Sequence, residues 1–265
     1  MPIFLMMNWT RATGKYLKKN KMIAASIRFY AELNTLLKPE NRFRTFNIKV
    51  ASTETLKDTI ESLGVPHPLV QLVLVNSHPV YMTNRINLGD HISVFPFFRN
   101  MDLTSIVETQ SDFPGIPQFA ADSHLGKLTS YLRMAGFDTR YQNHWDQYEL
   151  INYAIKEQRI LLTRSCGLLK RKTVQYGYYL FSQDPLIQLQ EVFDRYQLNK
   201  YQKPFTRCIK CNGQILKVKK NQIEQRLEPK TKQFFNEFWI CQQCDQIYWR
   251  GSHFSKMANL IDRLN

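Results

Sequence analysis

The sequence predicts an α/β protein in three folded parts, and three observations carry that expectation. The front of the chain reads as two strands, a helix and further strands. The middle alternates short apolar strands with helices, the order of a parallel sheet. Two C-x2-C pairs, Cys208 with Cys211 and Cys241 with Cys244, then mark a small C-terminal module.

Residues 1–21 form a basic arm with Arg11, Lys15, Lys18, Lys19 and Lys21 and no acid; Met22 is an alternative start. The opening apolar run, residues 2–7, is short and has no basic residue before it, so it does not read as a signal peptide. In residues 22–100, Ile23, Ala25, Ile27 and Phe29 alternate as a strand, as do Phe46, Ile48 and Val50. Thr53 stands as the N-cap of a helix carrying Leu56, Ile60 and Leu63, which Gly64 stops. Residues 72–75 and 92–96 complete the strands, with turns at Asn76-Ser77 and at residues 89–91. His67, His78 and His91 read as turn or surface residues. Residues 101–117, with Asp102, Ser105, Ser111, Asp112 and the breakers Pro114, Gly115 and Pro117, read as a linker.

From residue 118 the period changes. Phe119-Ala120-Ala121 is a short buried strand ending in Asp122, and a helix with Leu125, Leu128, Leu132 and Ala135 follows, ended by Gly136. Asp146 opens a helix with Leu150, Ile151, Ala154 and Ile155 inside. Residues 159–163 and 178–181 are strands, and Asp184-Pro185 opens a last helix with Leu186, Leu189, Val192, Phe193 and Tyr196. This segment runs to residue 203, the cysteine module spans 204–255 and a tail 256–265.

Paired thiolates on tight turns can hold one Zn²⁺ in a closed tetrahedral site, which serves structure rather than catalysis. A disulfide pair is the other reading, disfavoured by a composition of cytosolic type. Cys166 has no evident mate and reads as a small buried hydrophobe.

The 265 residues suggest about two domains. An apolar share of 43% is ordinary for a soluble chain. No apolar run approaches the roughly 20 residues that span a bilayer, so no membrane role and a cytoplasmic location are expected. The net charge of +14 calls for a polyanion, of which nucleic acid is the commonest. The cations cluster at Arg164, Lys170, Arg171 and Lys172, and again from Lys200 into the cysteine module.

Ligands of parallel sheets lie at the carboxyl ends of strands. Asp122, Ser165 and Asp184 fall there. Carboxylates at such ends can hold Mg²⁺ or Mn²⁺ for phosphodiester hydrolysis. Each acid also has a structural reading. Asp122 and Asp184 could be helix N-caps, and Asp146 with Glu149 has capping-box spacing. Arg133, Arg164, Lys170 and Arg171 would flank the strand ends and hold RNA phosphates, or form a solvated basic face. Trp249, Arg250 and His253 could stack on a base, or Trp249 could pack on the module.

Two resemblances add to this reading. Residues 28–33, 56–60, 63–66 and 89–94 resemble the ubiquitin-like β-grasp domains related to molybdopterin-synthase small subunits and thiamine sulfur carriers. The free Gly-Gly end of those carriers is absent, since Phe97-Phe98-Arg99-Asn100 runs on, so sulfur carriage is not implied and a binding or regulatory role, with a protein partner, is expected instead. Residues 122–128, 131–139, 159–164, 188–192, 207–212 and 248–253 resemble the Mut-seven C-terminal RNase family. That family implies a PIN-like fold with a four-cysteine zinc ribbon, often behind a ubiquitin-like domain. It implies a metal-dependent ribonuclease with Asp122 as a metal ligand. In the reading taken here the cut is endonucleolytic, Asp184 and Glu149 or Asp146 complete the shell, and transfer or ribosomal RNA is a candidate substrate. The family pattern Thr-Arg-Asp reads Thr163-Arg164-Ser165 here, which removes one carboxylate. The rival reading is an RNA- or ribosome-binding protein descended from a nuclease; a third is an adaptor working through the β-grasp surface.

Overall fold

The computed structural model describes residues 21–98, 113 and 115–263. The expected basic arm, except Lys21, and most of the linker lie outside them. The first sheet runs in the order β2-β1-β5-β3-β4, from β1 (Met22–Phe29), β2 (Phe46–Ala51), β3 (Leu72–Val75), β4 (His78–Pro79) and β5 (His91–Phe95). β1 pairs antiparallel with β2 and parallel with β5. The alternation read in β1 buries Ile23, Ala25, Ile27 and Phe29 on one face. Helix α1 (Leu56–Ser62) crosses that face with Leu56 and Ile60 buried. Its cap is Thr55, not Thr53: Thr55 Oγ1 accepts from Asp58 N, and Asp58 answers with its carboxylate as a capping box. Residue 53 had the right chemistry two positions early. Gly64 stops the helix at φ +119°, where a Cβ would come within 2.8 Å of Leu36 O.

The second sheet is parallel throughout, in the order β7-β6-β8-β9. Its strands are β6 (Phe119–Ala121), β7 (Thr139–Tyr141), β8 (Ile160–Thr163) and β9 (Gly177–Tyr179). Strand β7 went unread in the sequence because its three residues, Thr139-Arg140-Tyr141, show no apolar run. Strand β9 is shorter than the expected 178–181. The connecting helices are α2 (Gly126–Met134), α3 (Gln147–Lys156), the short α4 (Cys166–Leu169) and α5 (Pro185–Tyr196). Strands β6 and β8 are buried at every position, as central parallel strands must be. The chain leaves β6 toward β7 and leaves β8 in the opposite direction toward β9. A topological switch point therefore lies between the ends of β6 and β8.

The buried side chains of both sheets form one continuous cluster. The turn His67–Leu69 lies against β9. His67 is on a turn as expected, yet it is buried, 8% exposed, with Nδ1 2.6 Å from Glu61 Oε1. Burial holds its pKa below the ordinary 6.5 despite Glu61, and Lys57 adds to the lowering.

The C-terminal module is an antiparallel sheet β10-β11-β12 (Ile215–Val218, Phe238–Cys241, Ile247–Trp249) with two short helices, α6 (Lys220–Ile223) and α7 (Pro229–Phe234). Its own core is small: Ile223, Phe238 and Ile247. The expected tail instead belongs largely to helix α8 (Ser252–Asp262), whose Ile261 is buried in the main cluster.

Candidate functional site

Asp122 directly follows β6, and its backbone N–H still bonds Leu162 O of β8 at 3.0 Å. Its carboxylate is fixed from two sides. Oδ1 accepts from Ser123 N at 2.7 Å, and Oδ2 accepts from Thr163 Oγ1, also at 2.7 Å. Ser165 N donates in turn to Thr163 Oγ1 at 3.0 Å. Thr163 thus ties the ends of the two central strands together at the switch point. Asp122 also caps the turn Ser123–Leu125, as its structural reading expects.

Ser165 caps α4 without a side-chain bond. Beside it, Arg164 is half-buried and its Nε has no hydrogen-bond partner among the described residues. Arg164, Cys166 and Glu191 all act on Tyr179: burial, then Cys166, raise that hydroxyl's pKa, Arg164 lowers it and Glu191 raises it. The Cys166 thiol is pushed up chiefly by its surroundings' desolvation; it is half-buried rather than the fully buried residue expected. Glu191 on α5 accepts from Phe181 N and Ser182 N at 3.0 and 2.9 Å, which holds the loop after β9. Lys170 is half-buried and Arg171 exposed at the end of α4.

Other expected site residues lie elsewhere. Asp146 and Glu149 form a capping box at the start of α3, each bonding the other's backbone N–H. Asp184 caps α5 through Leu186 N and Ile187 N. Among the described residues, these acids are not gathered with Asp122 into a cluster of metal-ligand atoms. Among the described residues no group of three or more such ligand atoms forms there, and Asp122 is an acid that bonds across the switch point. Arg133 was expected at the surface for phosphate; it is 5% exposed. Its Nε donates to Thr139 O at 2.9 Å, and its Nη1 donates to Ile209 O and Lys210 O at 3.0 Å each. It fastens α2 and β7 to the first cysteine knuckle, because helix periodicity puts position 133 on the inner face with Leu132 and Thr129.

Cys208, Cys211, Cys241 and Cys244 are gathered with all four Sγ atoms within 4.8 Å of one another. The closest pairs, at 3.3 Å for Cys211 with Cys241 and 3.6 Å for Cys208 with Cys244, are too long for disulfides and suit thiolates around one ion. Gly213 N and Gln243 N each approach a sulfur at 3.4 Å, so each knuckle turns its backbone toward the cluster. These cysteines could hold a zinc ion. Trp249 packs on Phe235 at 6.5 Å between ring centroids, and Arg250 lies over Trp239; the His253 side chain lies outside the described positions.

Asp138 joins this module to the parallel sheet. Its Oδ1 accepts from Arg159 Nη1 at 2.7 Å and Asn212 Nδ2 at 2.8 Å, and Oδ2 lies 3.3 Å from Arg207 Nη2. Burial opposes ionisation here, yet these donors hold the carboxyl below its ordinary 3.8. Its stabilisation is present above pH about 3.8 and is lost as pH falls through the lowered value. Asp138→Ala strands Arg159, whose side chain is 6% exposed, and urea melts should show a loss of about 3–5 kcal/mol. A loss under about 1 kcal/mol would assign Asp138 no structural weight. Asp138, Glu191 and Asn212 were missed as key residues, although all three lie in the stretches that carried the resemblance.

A model of the Mut7-C RNAse domain matches residues 117–261, and one of the Mut7-C ubiquitin domain matches residues 22–102. No curated protein matches the chain. The crystal structure of H. volcanii small archaeal modifier protein 1 aligns at 18% identity over 28% of this chain and 97% of that one, with a TM-score of 0.23.

Proposed function

Because the chain belongs to the Mut7-C RNAse domain family, we propose that it is a metal-dependent ribonuclease that cuts RNA phosphodiester bonds. The observation that supports this best is Asp122, oriented by Thr163 at the topological switch point of the parallel sheet. A bound Mg²⁺ or Mn²⁺ would polarise the scissile phosphate and activate a water. Such ions are commonly held by one or two carboxylates with water and substrate phosphate. Asp122 is the carboxylate for that role. Arg164, Lys170 and Arg171 hold the RNA backbone. Transfer and ribosomal RNA are substrate candidates, and the ubiquitin-like domain is the surface for a protein partner.

The second reading is an RNA- or ribosome-binding protein with weakened catalysis. Ser165 favours it, since a neutral hydroxyl stands where the family pattern has a carboxylate. Cleavage of total RNA with Mn²⁺ separates the two. The ribonuclease reading expects the wild type to cut and Ser165→Asp to cut about tenfold faster, the worth of about 1.4 kcal/mol of added charge stabilisation. An inert wild type revived by Ser165→Asp would establish the binding reading.

A further inference from the structure

A cavity of about 460 Å³ opens where α2, the end of β7 and the cysteine module meet. That is within the range of about 300–1,000 Å³ common to small-molecule sites. Thr129, Ser130 and Arg133 face it from α2, Tyr141 from the end of β7, and Lys210 and Tyr248 from the module. No acid lines it, and both charged residues that do are cations.

Three of these side chains have polar capacity left over. Thr129 is 1% exposed, and its hydroxyl has no hydrogen-bond partner among the described residues. A buried hydroxyl in that state is costly, and native structures usually supply it with a partner. Arg133 bonds through Nε and Nη1; its Nη2 donates no hydrogen bond among the described residues. Lys210 is exposed and makes no ion pair among them.

The apolar part of the wall comes from Ile209 and from the rings of Tyr141 and Tyr248. Aromatic faces with adjacent cations are the arrangement by which proteins hold unpaired nucleotides, the base by stacking and the phosphate by charge. The location agrees. Tyr141 Oη donates to Ser123 O at 2.7 Å, one residue from Asp122. The Tyr141 side of the cavity thus adjoins the backbone that follows the strand-end acid.

We infer that this cavity is a subsite for one nucleotide of single-stranded RNA. The base lies against Tyr141 and Tyr248, the phosphate meets Lys210 and Arg133 Nη2, and the Thr129 hydroxyl bonds the sugar or base. The inference deepens the ribonuclease reading and rests on it for the passage of the chain to Asp122. It assigns Arg133 a ligand contact from the inside of the fold, in addition to its structural bonds.

The test is fluorescence anisotropy of a labelled single-stranded RNA decamer on the full zinc-loaded chain, with no Mg²⁺ or Mn²⁺ added. AMP, UMP and inorganic phosphate serve as competitors. Lys210→Ala should weaken RNA binding about tenfold, and Thr129→Val, which keeps the side-chain shape, about fivefold. Ser130→Trp, which fills the cavity, should abolish competition by AMP and UMP. Lys230→Ala on α7 removes the same charge and should change binding less than about twofold. Zinc content and thermal midpoint report whether each variant is folded; Lys210→Ala is at the surface and keeps the test decisive if Ser130→Trp is not.

If Lys210→Ala and Thr129→Val bind like the wild type, the subsite is overturned. If inorganic phosphate competes as well as AMP, the cavity is an anion site and the nucleotide assignment falls. Free AMP binding in the cavity while the decamer is indifferent to all three changes would also overturn it, since the occupant would then be a free nucleotide. Cleavage by the same variants with Mn²⁺ keeps the two readings apart. RNA cut normally with binding unchanged removes the subsite alone; binding lost as expected with no cutting by any form removes the ribonuclease reading alone.

Discussion

Removal of metal from the four-cysteine cluster, by chelation or by Cys241→Ser, is expected to unfold residues 204–251. The reason is the size of that module's core. Ile223, Phe238 and Ile247 are its buried apolar residues. Three buried side chains are a thin core for a module of this length, and small units of that kind usually need a metal or disulfide staple to fold. A structural zinc site adds about 10–16 kcal/mol of binding free energy, all of it available to folding. The knuckles show where that energy acts: Cys208 N bonds Gly213 O at 2.7 Å and Asn212 N bonds Cys208 O at 2.8 Å, a tight loop wrapped on the sulfurs. Limited proteolysis, with release of zinc followed by a chromogenic chelator, checks the expectation. Cuts should appear in the module as zinc leaves. Protection unchanged after complete release would show that the cysteines do not hold the fold through a metal.

Asp122→Asn is expected to lower Mn²⁺-dependent cleavage by at least about a thousandfold, the equivalent of roughly 4 kcal/mol of transition-state stabilisation. The fold should be indifferent. Asn caps a helical turn as well as Asp does, and it retains an oxygen for Ser123 N. Thr163 keeps its bond from Ser165 N in either case. RNA binding should persist or tighten slightly, because a negative charge leaves a basic surface. Paired measurements of cleavage rate and RNA affinity decide the matter. Equal cleavage by both forms would place the chemistry away from Asp122.

The strands that carry the fold were legible because their residues are apolar without interruption, as in β6 and β8, or alternate cleanly, as in β1. Strand β7 was not, because an edge strand of three residues needs no such pattern. The four cysteines were legible because a metal site constrains residue type and spacing at once. The acids were legible as acids but not by role. Asp122, Asp146 and Asp184 all precede helical turns in the sequence and all cap them; Asp122 differs in that Thr163 of the neighbouring strand also reaches it, while the others bond only their own helices. Arg133 carried the opposite lesson. A cation on an amphipathic helix reads as solvent-facing, yet three carbonyl oxygens were waiting for it on the inner side.

Those same bonds bear on a hazard that has nothing to do with catalysis. A parallel sheet ends in strands whose outer N–H and C=O groups can template another chain. On β7 that edge is blunted: Thr139 N donates to Asn212 Oδ1 at 3.0 Å, and Thr139 O accepts from Arg133. On the far side, the turn His67–Leu69 of the first domain lies against β9. The accessory domains are thus end-stops for the central sheet. A chain whose cysteine module unfolded, or that lost its first domain, would carry an unguarded strand into solution, and its expected fate is self-association rather than simple inactivity.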